Sequence, residues 1–413
     1  MNIREQWSLL DRRQRSAFTA SFLGWTLDAF DFLLMVFMLR SIATEFGTDV
    51  KAVSVAITLT LAMRPLGALV FGMLGDRFGR RRILMIDILL FSLLELASAF
   101  APSLVVLLIL RALFGFAMGG EWGLGATLAL ESIPPRARGL VSGVLQAGYP
   151  CGFLLASITY GLLFDHVGWR GLFMVGVLPA LLVLYIRRNV AESPAWERIR
   201  TRPRLSLRAL VRGHGRLFVY AMVLMTAFNF FSHGTQDLYP TYLQGQRGLP
   251  THAVSLIVIL ANVGAIFGGI VFGSLSQQMG RRRAMATAAL LSVLMIPLWV
   301  FSRSIPMIAL GAFLMQLCVQ GAWGVVPVHL NELSPESIRG TFPGLTYQLG
   351  NLLASANATL QAGFAERYGG NYALALATVG AAAALSIAVL AFAGREAHGV
   401  EFGAEEGRAP AAV

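Results

Sequence analysis

The sequence predicts an all-α integral membrane protein: twelve transmembrane helices in two pseudo-symmetric six-helix halves, with both termini inside. Three observations predict it. The 413-residue chain is 56% hydrophobic and only 13% charged, about half the roughly 25% of charged residues in globular chains. Its apolar residues gather into runs long enough to span a bilayer. Those runs fall into two sets related by an internal repeat. A water-soluble fold of this length could not hide so much apolar side chain in one or two cores. Disorder is excluded because the chain has too much to bury.

A hydrocarbon core of ~30 Å needs ~20 apolar residues per helix. The first six runs cover 17–39, 52–74, 83–101, 104–130, 139–164 and 170–186. The second six cover 217–241, 252–275, 284–302, 305–330, 340–364 and 371–393. Residues 1–16 then form a cytoplasmic segment, 17–186 and 217–393 the two six-helix halves, and 187–216 a basic cytoplasmic linker. Residues 394–413 form a short cytoplasmic tail, rich in Ala, Gly and Glu and expected to be disordered. The first run is not a cleaved signal peptide, because Asp28 and Asp31 interrupt it and no small-residue cleavage site follows. Cys151 and Cys318 lie inside spans and read as small packing residues.

Orientation follows from the basic residues. With the N-terminus inside, inner segments hold 25 of the 33 basic residues and outer segments six, while Arg64 and Arg111 lie within spans. Cytoplasmic loops carry such an excess, so the split sets both termini inside. The net charge of +11 is therefore a topology signal. Aromatics are not interleaved with the arginines, and no nucleic-acid partner is implied.

The repeat has an offset of 201 residues. Gly72-Met-Leu-Gly75-Asp76-Arg77-Phe-Gly79-Arg80-Arg81-Arg82 links spans 2 and 3, and Gly273-Ser-Leu-Ser-Gln277-Gln-Met-Gly280-Arg281-Arg282-Arg283 links spans 8 and 9. At the same offset Glu131…Arg138-Gly139 matches Glu332…Arg339-Gly340. Two matches in one register mark a 6+6 duplication. Gly72, Gly75 and Gly79 permit close helix approach and a tight turn. Asp76 can pair with basic residues there or cap a helix, holding the halves together in one state, and Arg77, Arg80, Glu131, Arg138, Glu332 and Arg339 are further gating or structural candidates. The alternative is a basic turn serving topology alone.

The loop after span 2 resembles the signature loop of the major facilitator superfamily. Arg111-Ala-Leu-Phe-Gly115-Phe-Ala-Met-Gly119-Gly120-Glu121 resembles the fourth helix of that superfamily, and Glu192-Ser-Pro-Ala-Trp196 the motif after its sixth. The resemblance covers residues 15–395. It implies a secondary transporter working by alternating access, with a substrate site near the bilayer midplane between the halves.

Eight formal charges lie within spans: Asp28, Asp31, Arg64, Asp87, Glu95, Arg111, Glu121 and Asp237. Each costs ~2.5–3.5 kcal/mol at a helix centre, so each should face the bundle interior or a cavity. Asp87 reads as structural and near the inner surface. Glu95 is open between roles, and Arg111 reads as a brace for its helix. Span 7 is the densest polar segment. Asn229, Ser232, His233, Gln236 and Asp237 fall at helical offsets that form one face, which lipid cannot satisfy. His233 and Asp237 are an i,i+4 pair able to share a proton. Packing of His233 against a neighbouring helix is the alternative.

The segment Asn229-x-x-Ser232-His233-x-Thr235-Gln236-Asp237-x-x-x-Thr241 matches a motif of the Jen-type lactate/pyruvate permeases, a branch of the sialate:proton symporter family. The resemblance implies proton symport of short monocarboxylates, with coupling and substrate handling on His233 and Asp237. Arg64, mid-span in helix 2, resembles the second-helix Arg of those permeases. Its guanidinium can hold a carboxylate through two parallel bonds, or form an internal bridge to Asp28, Asp31 or Asp237. Gln348 lies where that family has a Gln linked to recognition, and Asn351 is its i+3 neighbour. Asn229 and Gln236 complete the substrate-binding set. Asp28, Asp31 and Glu121 are further possible proton sites.

The energy source implied is a proton gradient, with no cofactor and no metal. No enzyme motif or Walker lysine is present. The expected partners are a small organic anion, a proton and the lipid bilayer, with no obligatory protein partner. The expected location is a bacterial inner membrane. A sialic acid permease of the same broad family is the alternative. A drug exporter and a transporter-fold nutrient sensor fit less well.

Overall fold

The computed structural model describes residues 3–201 and 207–403. Positions 1–2, 202–206 of the basic linker and 404–413 of the tail lie outside the described residues. Among the described residues all regular structure is helical, as apolar segments in lipid require, since a helix satisfies its own backbone polar groups.

The chain begins with α1 (Ile3–Ser8) and α2 (Arg12–Glu45). A capping box starts α2: Gln14 N donates to Asp11 at 2.8 Å, and Asp11 N donates to the Gln14 side chain at 3.0 Å. Asp49 caps α3 (Val50–Phe78), and Ser103 caps α5 (Leu104–Ser132) after α4 (Arg80–Ala99). There follow α6 (Arg138–Gln146), α7 (Gly148–Val175), α8 (Pro179–Asn189) and α9 (Pro194–Ile199). The rest of the chain forms α10 (Leu207–Gln236), α11 (Tyr239–Thr241), a π-turn (Tyr242–Gln246) and α12 (Thr251–Met279). It continues with α13 (Arg281–Val300), α14 (Ile305–Leu333), α15 (Phe342–Ala354), α16 (Asn357–Arg367) and α17 (Tyr372–Ala393).

Nine helical runs among the described residues are long and apolar enough to cross a bilayer. They depart from the twelve expected runs in three places. Arg82, Asp87 and Glu95 interrupt the apolar character of α4. The expected runs 139–164 and 170–186 lie inside one helical run, Pro135–Asn189, kinked where Gly168 has φ 63°. The expected run 340–364 is broken between α15 and α16.

Small residues set how closely the helices approach. A Cβ on Gly143 of α6 would collide with the Gly269 carbonyl of α12, and Gly123 of α5 lies against Gly344 of α15. Such small-residue crossings let membrane helices gain dispersion contact without a hydrophobic driving force. They join the elements before residue 187 to those after 216 at the end of the bundle that carries Arg80–Arg82 and Arg281–Arg283, called here the basic end. Two glycines there are conformationally obligatory. Gly79 and Gly280 have φ of 108° and 87°, a region costly for any residue with a Cβ.

Residues 394–403 lie across the basic end. Arg282 Nε donates to the Ala391 carbonyl at 2.6 Å, Arg282 N to Glu396 at 3.1 Å, and Gly403 N to Glu336 at 3.0 Å.

Candidate functional site

A cavity of about 380 Å³ lies between α2 and α7 on one side and α10, α12 and α14 on the other. One wall is apolar: Leu33, Val36, Pro150 and Phe153. The other is polar: Thr235, Gln236, Asp237, Asn262, Gln316 and Gln320. Aromatic side chains from six helices cluster nearby. The rings of Trp122 and Tyr347 are 4.6 Å apart, Trp25 and Tyr149 5.7 Å, Trp323 and Tyr347 5.7 Å, and Phe228 and Trp323 5.3 Å.

The end of α10 aims the polar wall. Asp237 follows the last helical residue, yet its N donates to the His233 carbonyl at 3.0 Å, which keeps it in helical register. The π-turn beyond is held by Tyr242, whose hydroxyl donates to the Val300 carbonyl at 2.6 Å. His233 Nδ1 lies 3.2 Å from Asp237 Oδ1, with side chains 37% and 36% exposed. His233 Nε2 lies 3.1 Å from Asn351 Oδ1. Because that oxygen only accepts, Nε2 carries a hydrogen, and Nδ1 is left facing the carboxylate. A proton can therefore sit between His233 and Asp237 at one defined place.

The expected polar face divides. Gln236 and Asp237 line the cavity. Asn229 is buried and spends its amide on the Met225 carbonyl at 2.8 Å. His233 turns toward α15. Gln348 is buried with its Oε1 unpartnered among the described residues, and Asn351 is engaged by His233. Arg64 does not line the cavity. Its Nη2 is 3.4 Å from Asp28 Oδ2, and its guanidinium lies 5.1 Å from the centre of the Phe32 ring. Tyr149 lines the cavity.

Sequence reasoning missed Asn262, Gln316 and Gln320. Gln236 Nε2 donates to Gln316 Oε1 at 2.8 Å, and Gln316 Nε2 to Thr235 Oγ1 at 3.1 Å. The available signal was the i,i+4 spacing of two glutamines in an otherwise apolar run.

The remaining intramembrane acids cluster between α2, α3, α4 and α5. Glu95 is the partner of Arg111, 2.7 Å from its Nη1. Asp87 is fully buried beside Gly120. Glu121 presses against Gly24 of α2. Among the described residues Asp31, Asp87 and Glu121 lack a hydrogen-bond partner on either carboxyl oxygen.

The gating candidates meet at the basic end as a reciprocal lattice. Arg80 binds Glu131 through Nε at 3.1 Å and Nη2 at 3.2 Å. Its counterpart Arg281 binds Glu332 at 2.9 and 3.1 Å. Cross-pairs join the repeats, Arg138 to Glu332 at 3.8 Å and Arg339 to Glu131 at 3.7 Å. Asp76 accepts from Gly340 N at 2.8 Å and Thr341 N at 3.0 Å. Gln277, its counterpart, accepts from Gly139 N at 3.2 Å. Gly72 abuts Gly340 and Thr341, and Gly75 abuts Leu124. The Arg77 guanidinium lies 5.2 Å from the Phe78 ring centre. Glu192, beside Gly79, accepts from Arg81 N, and burial pushes its carboxyl above the usual range. Phe402 completes the lattice, its ring centre 3.5 Å from the Arg138 guanidinium and 4.1 Å from that of Arg339.

The family model of the Major Facilitator Superfamily matches residues 17–261. The chain belongs to the Major Facilitator Superfamily. A second family model, described as sugar (and other) transporter, matches residues 209–395. This superfamily member is thus a multi-pass membrane transporter. It is 30% identical over 377 residues to a carboxylic acid transporter protein homolog of Saccharomyces cerevisiae, covering 85% of this chain and 61% of the yeast protein. It thus spans about three-fifths of that relative's length. It is 32% identical to a probable 4-methylmuconolactone transporter of Cupriavidus pinatubonensis, over 84% of this chain and 82% of that one. It is 29% identical to the sialic acid transporter NanX of Escherichia coli, over 91% and 93%. The proton:xylose symporter XylE has the same fold, with a TM-score of 0.71 at 20% identity over 90% of this chain and 94% of that one.

Proposed function

We propose that this superfamily member is a proton-coupled symporter of short monocarboxylates, lactate-like or pyruvate-like, working by alternating access in a bacterial inner membrane. The observation that carries the reading is the His233–Asp237 pair: it is oriented by Asn351 and its carboxylate opens on the cavity between the repeats. Similarity to a carboxylic acid transporter homolog supports the acid class. In this reading the chain crosses the membrane twelve times in two six-helix halves, with both termini and the basic end inside.

A proton between His233 Nδ1 and Asp237 removes the negative charge that would repel an incoming carboxylate. Arg64 exchanges Asp28 for the substrate carboxylate, a trade of one buried anion for another that limits desolvation cost. Gln236, Gln348, Asn229 and Asn351 supply or position hydrogen-bonding groups. Asp28, Asp31 and Glu121 are further proton-holding positions, since an unpaired buried carboxylate costs several kcal/mol. The closed basic end then opens as the Asp76, Arg138 and Arg339 contacts break, and the two halves rock about the site. One proton with one monoanion moves no net charge. Similarity to NanX over nine-tenths of both chains favours a sialic acid as the second reading.

The test is uptake of labelled lactate and pyruvate by proteoliposomes with and without an imposed pH gradient. Gradient-driven accumulation is expected. Uptake indifferent to collapse of the gradient would remove proton symport.

A further inference from the structure

We propose that the cavity discriminates substrates by hydroxylation, selecting hydroxyl-bearing acids over the matching oxo acids. Gln236 and Asn262 are the residues that set this choice. The inference rests on the acid-symport reading and names its substrate class more narrowly.

The argument is one of hydrogen-bond direction. Thr235 donates its single hydroxyl hydrogen to its own helix, 2.9 Å from the Phe231 carbonyl. Its oxygen is left to accept, so the Gln316 group 3.1 Å away must be the amide nitrogen. Gln316 then presents its oxygen to Gln236, which must answer with its own nitrogen at 2.8 Å. The relay leaves Gln236 Oε1 unspent. Asn262 is fixed independently, because Nδ2 donates to the Val258 carbonyl at 2.9 Å and, among the described residues, Oδ1 has no partner. Gln320 Nε2 lies 3.5 Å from Ser232 Oγ, a hydroxyl that suits either end of the amide. The Phe231 and Val258 carbonyls thus dictate which end of the Gln236 and Asn262 amides is spent.

The polar wall therefore offers unspent amide oxygens from Gln236 and Asn262 beside Asp237, and among the described residues no lysine, arginine or histidine lines it. A hydroxyl group donates to such a wall. An oxo group can take only a remaining amide N–H or the Tyr149 hydroxyl hydrogen, and leaves those acceptor oxygens unpaired when the cavity closes. Buried polar groups left unpaired are what let a site reject an analogue lacking a hydroxyl. The cavity's 380 Å³ lies in the range that encloses sizeable ligands, about 300–1,000 Å³. Polyhydroxylated acids with more than three carbons also fit the inference, with the apolar wall against their carbon chain.

The experiment measures proton-driven uptake in proteoliposomes for lactate against pyruvate, with gluconate as the polyhydroxylated competitor. Wild type is expected to favour lactate over pyruvate by about tenfold or more in kcat/KM. Gln236→Leu and Asn262→Leu should each bring the ratio toward one. Gln236→Glu, which retains an acceptor facing the cavity, should keep the preference. As a check needing no variant, lactate and gluconate should raise the thermal transition of detergent-solubilised wild type more than pyruvate does. Equal handling of lactate and pyruvate by wild type overturns the inference while leaving acid symport intact. A ratio unmoved in folded leucine variants also overturns it. If no acid drives proton movement, the symport reading falls and the inference with it.

Discussion

Replacing Phe402 by alanine should loosen the closed basic end. The ring is 4% exposed and lies under two arginines from different repeats, at 3.5 and 4.1 Å. Arg138 also donates to the Val400 carbonyl at 2.6 Å, and Gly403 N binds Glu336, so backbone bonds would hold part of the segment without the ring. The two buried cation–π contacts are worth at least about 0.5–1 kcal/mol each. The lost burial of an aromatic side chain adds a comparable amount, reduced because the segment can lift away. A total of about 2 kcal/mol lost from the closed state alone shifts the open-to-closed ratio roughly thirtyfold. Spin labels on the basic-end tips of α3 and of α15 would read the distance distribution in nanodiscs. A larger population at long distance is expected for the variant, with unchanged helix content. An unaltered distribution would refute the reasoning, because Phe402 would then bridge nothing that matters to closure.

Asp237→Asn should abolish accumulation against a gradient while leaving counterflow exchange of labelled lactate, and His233→Ala should do the same; accumulation at wild-type level in both would misplace the coupling site. Gly143→Leu should prevent the basic end from closing, since the Gly269 carbonyl occupies the space a side chain needs, and cysteine accessibility at the tip of α15 would rise. His398 sits against Gln277, and burial followed by the Arg281 charge pushes its pKa below the ordinary value of 6.5. Docking of the 394–403 segment is thus undisturbed above about pH 6.5 and weakens as pH falls toward the depressed pKa. A fluorophore near the segment should report acid-induced release in wild type that His398→Gln flattens.

Much of this was legible in the sequence. Hydropathy and charge set the membrane class, and one 201-residue register brought out Arg80 with Arg281 and Glu131 with Glu332. The i,i+4 spacing of His233 and Asp237 placed both within reach, because a helix fixes the geometry of its own neighbours. Other assignments stayed open. Arg64 had three acids as possible partners, and only the packing of α2 on α3 selected Asp28. Arg111 found Glu95 by the same kind of choice.

The sequence alone determined membership of a helical membrane class, its duplication and which side chains share a helix face. Tertiary structure decided who meets across helices: Gln316 with Gln236, Arg138 with Glu332, Phe402 under two arginines, and Arg64 folded away from the cavity. The reason is physical. Periodicity acts within one helix, whereas partners on different helices depend on crossing points. Those crossing points depend on how closely glycines such as Gly143 and Gly269 let the backbones approach.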